Sequence, residues 1–193
     1  LVQKGGRVVD VGRIEEAMTS ILDAIGDDAA REGLKDTPSR VAEMYSQFFS
    51  GLGQDPAASL EADLNEDHRE MVILKGVRFF SICEHHFLPF YGTADIGYIP
   101  NGRVVGFSRL ARALDILARR PQLQERLTKQ LADTIHNTVK PSGVVVVLRA
   151  EHLCISLRGA QKLDSMVVTV ASSGILKTQK ARMDEFNSLL EKT

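Results

Sequence analysis

The chain has 193 residues, 44% of them hydrophobic and 25% charged, with a formal net charge of −1. That length can bury a core without disulfides, and so even a charge balance excludes any global pull toward nucleic acid or a membrane surface. No apolar run approaches the roughly 18 residues of a membrane span.

Leu1-Val2-Gln3-Lys4-Gly5-Gly6 lacks the apolar segment of a signal peptide, and without an initiator Met a trimmed N-terminus is expected. From Asp10 to Ile25 the residues Val11, Ile14, Met18, Ile21, Leu22 and Ile25 recur at three and four, one stripe of an amphipathic helix that Gly26 ends. Asp36-Thr37-Pro38 predicts a second helix, with Thr37 capping and Pro38 first in the helix. Val41, Met44, Tyr45, Phe48 and Phe49 form its expected buried face. Residues 54–69 are polar and acidic and read as a loop or linker.

From Met71 to Ile82 β-branched and aromatic residues predict a strand, and Tyr91 to Ile99 a second. Pro100-Asn101-Gly102 is a turn signal that predicts a short return strand over Arg103-Val104-Val105. Ser108 is placed to cap a helix through Leu110, Ala113, Leu114 and Leu117. Pro121 is expected to open another, carrying Leu123, Leu127, Leu131 and Ile135. Val144 to Leu148 reads as a buried strand continuing to Arg158, Met166 to Val170 as a further strand, and Arg182 to Leu190 as a closing helix. Strands grouped in pairs, rather than alternating singly with helices, predict an α+β fold with an antiparallel sheet.

Two short windows hold both cysteines and three of the five histidines. They are Ser81-Ile82-Cys83-Glu84-His85-His86-Phe87-Leu88-Pro89-Phe90 and Glu151-His152-Leu153-Cys154-Ile155-Ser156-Leu157-Arg158. A Cys83–Cys154 disulfide or two inert core cysteines is the plain alternative, but so few cysteines point first to a metal or to catalysis. If the second window is a strand, His152, Cys154, Ser156 and Arg158 share one face, and Leu153, Ile155 and Leu157 face a core. Cys83 and His86 are spaced so that a turn can bring both onto one ion. With Cys154 they form a set that zinc accepts, and three protein ligands leave one position open for water. A fourth ligand from His152 or His85 would close the site and make it structural. His85, next to ligand candidate His86, is expected to point elsewhere, where an imidazole can move protons near neutral pH.

Ser108, Arg109 and Arg112 put a hydroxyl and cations at a helix start, a ready anion site, although a solvated basic helix face has the same pattern. Arg158, in line with the metal candidates, favours a phosphorylated substrate. Gln124 and Glu125 lie in the first turn of the next helix.

At these residues the chain resembles the GTP cyclohydrolase I family. The similar segments are Cys83-Glu84-His85-His86, Gly92 to Pro100, Gly106 to Arg112, Ala118 to Thr128, His152-x-Cys154-x-x-x-Arg158-Gly159 and Asp36-Thr37-Pro38-x-Arg40-Val41-Ala42. The resemblance implies zinc on Cys83, His86 and Cys154, with His85 and His152 moving protons as activated water attacks C8 of GTP. Formate then leaves, and rearrangement and ring closure give 7,8-dihydroneopterin triphosphate. It implies Glu125 on guanine N1–H and the 2-amino group with Gln124 assisting, and Ser108, Arg109, Arg112, Arg158 and Arg40 on the triphosphate. The implied architecture is the tunnelling fold, an antiparallel sheet with helices packed on one face, over 70–193. A helical segment and linker, 1–69, precedes it. A cytoplasmic decamer of two pentamers with sites between subunits is implied too, with neither nucleic acid nor membrane as partner. Arg109 and Glu43 stand where the family commonly has Lys, and Ala160 and Gly174-Ile175-Leu176 also depart from its pattern. A related reductase of deazaguanine nitriles, with a nucleophilic cysteine and no zinc, fits the complete Cys/His/Cys set less well. Nothing at the ligand positions suggests a non-catalytic homologue.

Overall fold

The computed structural model describes residues 9–61, 64–158 and 161–191. Leu1 to Gly6, Gly159 and Ala160 of the segments above lie outside them. The chain divides into two compact units at Gln54/Asp55.

In the first unit, α1 (Val11–Ala24) begins where the Asp10 carboxylate accepts the Arg13 backbone N–H at 3.1 Å. It ends before Gly26, whose φ of 83° suits a residue without Cβ. Of the expected stripe, Leu22 is buried and Ile14 and Met18 are half-buried, whereas Val11, Ile21 and Ile25 are exposed. Helix α2 (Thr37–Phe48) has Asp36, not Thr37, at its cap position, so that Pro38 falls second in the helix. Its best-buried residues are Ala42 and, just past its end, Phe49; Met44 is exposed. The two helices pack on each other.

The second unit is built on a five-stranded sheet in the order β5-β2-β3-β6-β7, and β1 (Leu64–Asn65) and β4 (Arg103–Val104) form a separate short pair. Its strands are β2 (Val72–Cys83), β3 (Pro89–Ile99), β5 (Pro121–Gln122), β6 (Gly143–His152) and β7 (Met166–Gly174). All neighbours are antiparallel except β5, which runs parallel to β2. One face carries Phe79, Phe90, Ala94, Ile96, Tyr98, Val144, Val146 and Leu148 against α3 (Phe107–Ala118) and α4 (Gln124–Val139). The 3.6-residue period of α4 buries Leu127, Leu131 and Ile135 there. A smaller core on the other face joins Ile99, Val145 and Val147 to Leu176 of α6 (Ile175–Thr178) and Phe186 of α7 (Lys180–Glu191). Gly97 makes room for it, because a Cβ there would lie 2.7 Å from the Phe186 ring.

A bulge between Leu74 and Val77 shifts the side-chain phase of β2, so that Val72, Leu74, Val77 and Phe79 all meet the main core. Gly76 sits in the bulge at φ 68°, and its N–H donates to Asp95 at 2.8 Å, which also pairs with Arg149. Among the described residues no helix is long and apolar enough to cross a membrane.

Three expectations are corrected. Arg103–Val104 forms β4, but it pairs with β1 (Leu64–Asn65) rather than returning on β3. Both edges of β3 are already taken, by β2 and β6, so no ladder is open to a return strand. Pro121 does not start a helix: with Gln122 it adds to β2 opposite Ile82 and Cys83, and α4 begins at Gln124. A proline is tolerated at such an edge because it need not donate there. Finally, β6 stops at His152, and Leu153–Ser156 coils into a single helical turn, α5. On one side β3 pairs only to Phe90, opposite His152, and on the other β7 begins at Met166, opposite Glu151. With no strand on either side to bond, the chain closes its own turn, Leu157 N–H to Leu153 O at 2.9 Å. His152, Cys154, Ser156 and Arg158 therefore do not share a strand face, and Leu157 is 63% exposed rather than in a core.

Candidate metal centre

Cys83 is the last residue of β2 and 6% exposed. Two bonds close the turn after it: Cys83 N–H to Leu88 O and Phe87 N–H to Cys83 O, both 2.9 Å. Phe87 takes a φ of 53° to complete the reversal into β3. Strand β5 fixes the same turn from the other side, since Glu84 N–H donates to Gln122 O at 3.0 Å. Gln122 is itself anchored, its amide donating to Leu117 O at 3.0 Å and Gln130 Oε1 at 2.9 Å. The turn carries His86 out to the same place that α5 brings Cys154.

The ligand atoms of Cys83, His86 and Cys154 all lie within 4.8 Å of one another, a group that could hold a metal ion. Both cysteines are free thiols. Burial pushes the Cys154 thiol up, and the facing Cys83 adds to the shift. Two thiolates side by side repel, and a cation between them removes that repulsion. The donor set thus fits a metal on its own chemistry.

His85 and His152 are not in this group. The His85 and His86 rings are nearly perpendicular, with centroids 6.3 Å apart. His152 Nε2 lies 2.7 Å from Gln124 Oε1, and its ring stacks on Phe90 at 4.6 Å and 3°. Burial holds His152 below the ordinary imidazole range, with Glu125 acting in the opposite direction.

Ser108, Arg109 and Arg112 line one open cleft of about 610 Å³ together with Ser59 and Asp115. Ser108 is second in α3 behind a Gly106 cap and makes no capping bond. Arg109 reaches Ser59 O at 3.3 Å. Glu125 lines a different cleft, of about 550 Å³ between α4 and β7, with Lys129, Thr169 and Lys177. Gln124 is 1% exposed and bonded entirely within the chain. Arg158 is exposed. Arg40, in the first unit, pairs with Asp36 at 3.1 Å on the surface of α2.

Sequence reasoning gave no role to Glu84 and Arg126. Arg126 donates to both carboxylate oxygens of Glu84, each at 2.7 Å, and holds that carboxyl below the usual range. This fork ties the turn between Cys83 and His86 to α4, one residue past Glu125. The available signal was a charged residue between two ligand candidates and an arginine next to Glu125. Arg126→Met is expected to weaken metal retention about 10-fold, at the low end for a residue supporting a ligand. Chelator competition would measure it, and unchanged retention would make the pair a surface ornament.

The family model described as GTP cyclohydrolase I matches residues 14–191. A GTP cyclohydrolase 1 of Desulforamulus reducens is 53% identical over 185 residues, covering 95% of this chain and 99% of that protein. One of Halalkalibacterium halodurans is 50% identical over 184 residues, 95% of this chain and 98% of that one. The solved apo form of an archaeosine synthase described as QueF-Like is 25% identical, with a TM-score of 0.44 over 54% of this chain and 93% of that one.

Proposed function

The chain belongs to the GTP cyclohydrolase I family and carries its GTP cyclohydrolase activity, and from that premise we propose a zinc-dependent conversion of GTP to 7,8-dihydroneopterin triphosphate with release of formate. The observation that carries the zinc assignment is the convergence of Cys83, His86 and Cys154 within 4.8 Å. Two sulfurs and one imidazole suit zinc, so Cys83, His86 and Cys154 would hold it. Zinc held there would supply Lewis-acid activation of water near neutral pH.

The chain's own residues do the rest. His152 and His85 take and return protons as one water adds at C8 and opens the imidazole ring to a formamide, and as a second water hydrolyses that formamide so that formate leaves. Glu125, at the start of α4, accepts from guanine N1–H and the 2-amino group, a pairing adenine cannot offer. Ser108, Arg109, Arg112 and Arg158, with Arg40, hold the triphosphate, which favours forked guanidinium donors and a helix start. Through the Amadori-type rearrangement and closure, these contacts keep the opened product in place.

Ser108, Arg109 and Arg112 line one cleft and Glu125 another, and the proposed assembly joins them: a decamer of two pentamers, with each site completed across subunits. The proposed division is a helical segment and linker over 1–69 and a catalytic domain over 70–193. Two free thiols suit a reducing compartment, and the cytoplasm is the proposed location.

The test is incubation of the purified protein with GTP and zinc, following formate and the fluorescence of oxidised neopterin. Both products are expected in equal amounts. A fully metallated protein that yields neither would overturn the reading.

A further inference from the structure

Gln124 was expected to assist at the base, yet it is 1% exposed and every polar atom of its side chain is occupied inside the fold. Its Nε2 lies 3.1 Å from Leu148 O, 3.0 Å from Val167 O and 3.1 Å from Thr169 Oγ1. Two of these partners are main-chain carbonyls, which can only accept. The amide nitrogen must face them, because a flipped side chain would press its oxygen against two carbonyl oxygens, with no donor among them. A chain of hydroxyls agrees with this orientation. Thr128 Oγ1 donates to Gln124 O at 2.7 Å, which leaves Thr169 to donate across the 2.6 Å contact to Thr128 and its own oxygen free to accept.

Gln124 Oε1 therefore faces His152 Nε2 at 2.7 Å. An amide oxygen has no proton to give, so the proton in that bond sits on Nε2. In the neutral ring the lone pair is then on Nδ1. Stacking of the ring on Phe90, at 4.6 Å and 3°, fixes its plane as well.

We propose that Gln124 is a positioning residue that locks His152 in its Nε2–H tautomer and presents Nδ1 as the nitrogen that exchanges protons with the substrate. The Gln124 side chain acts through His152, because its own polar atoms are engaged within the fold. The inference rests on the reading of His152 as a proton carrier, but the tautomer can be observed without turnover.

Magic-angle-spinning NMR of the full protein labelled with ¹⁵N-histidine, with His152→Ala assigning the signal, should show a protonated Nε2 and a bare Nδ1 for neutral His152. The opposite tautomer overturns the proposal, whatever the GTP assay gives. Gln124→Met keeps the shape without the bonds. It should lower kcat about 10–100-fold, less than the roughly 10²–10⁴-fold of losing an acid–base group, with KM nearly unchanged. In a His152→Ala background it should add no more than about 2-fold, since both changes remove one function. An equal loss in both backgrounds, a rise in KM alone or unchanged turnover would each place Gln124 outside this role. Should Gln124→Met fail to fold, the wild-type spectrum alone decides.

Discussion

Cys154→Ser is expected to lose metal and turnover together. A serine hydroxyl at this position stays protonated near neutral pH and is a poor donor to a soft or borderline ion. Cys83 and His86 alone cannot hold the site, because the group that converges within 4.8 Å has only Cys154 as its third member among the described residues. The loss in kcat/KM should exceed the roughly 100-fold typical of residues that merely support a ligand. The fold should survive, since α5 is a single half-buried turn after β6, Cys154 only borders the main core, and serine replaces its thiol with little change of volume. Metal content by plasma mass spectrometry, formate release and far-UV circular dichroism on one preparation separate these outcomes. A folded Cys154→Ser protein with a full complement of zinc would remove Cys154 from the ligand set.

Elements held by local pattern could be read in the sequence. Leu127, Leu131 and Ile135 stand four apart and are buried on α4, and the run from Val144 to Leu148 is buried on β6. The α+β class followed from strands that come in pairs. What the sequence could not show was where a neighbour runs out. His152 to Arg158 alternates as a strand should, but a strand needs a partner, and both partners of β6 end beside Glu151 and His152. Pro121 looked like a helix start on local rules, and the open edge of β2 beside Ile82 and Cys83 overrode them.

The metal candidates stood out because thiols and imidazoles are scarce in this chain, so that clustering alone is informative. The route by which they converge was not legible. Cys154 reaches Cys83 and His86 through a helical turn beyond the strand, not along a strand face. Gln124 illustrates the limit further. Its role depends on Leu148, Val167 and Thr169, contacts across 24 to 45 residues that no local spacing encodes.

His152→Ala is expected to behave in the opposite way to Cys154→Ser: metal stays and turnover falls by about 10²–10⁴-fold, the usual range for an acid–base group. Metal should stay because His152 Nε2 is engaged by Gln124 at 2.7 Å and its ring lies on Phe90, outside the Cys83–His86–Cys154 group. The change also leaves Gln124 Oε1 without its donor in a buried position, which costs about 1–3 kcal/mol. That should lower the urea midpoint with an unchanged slope, the sign of lost stability rather than an altered unfolded state. His86→Ala is the control, expected to lose metal and activity at once. Should His152→Ala strip the metal while His86→Ala keeps it, ligand and proton carrier have been assigned the wrong way round.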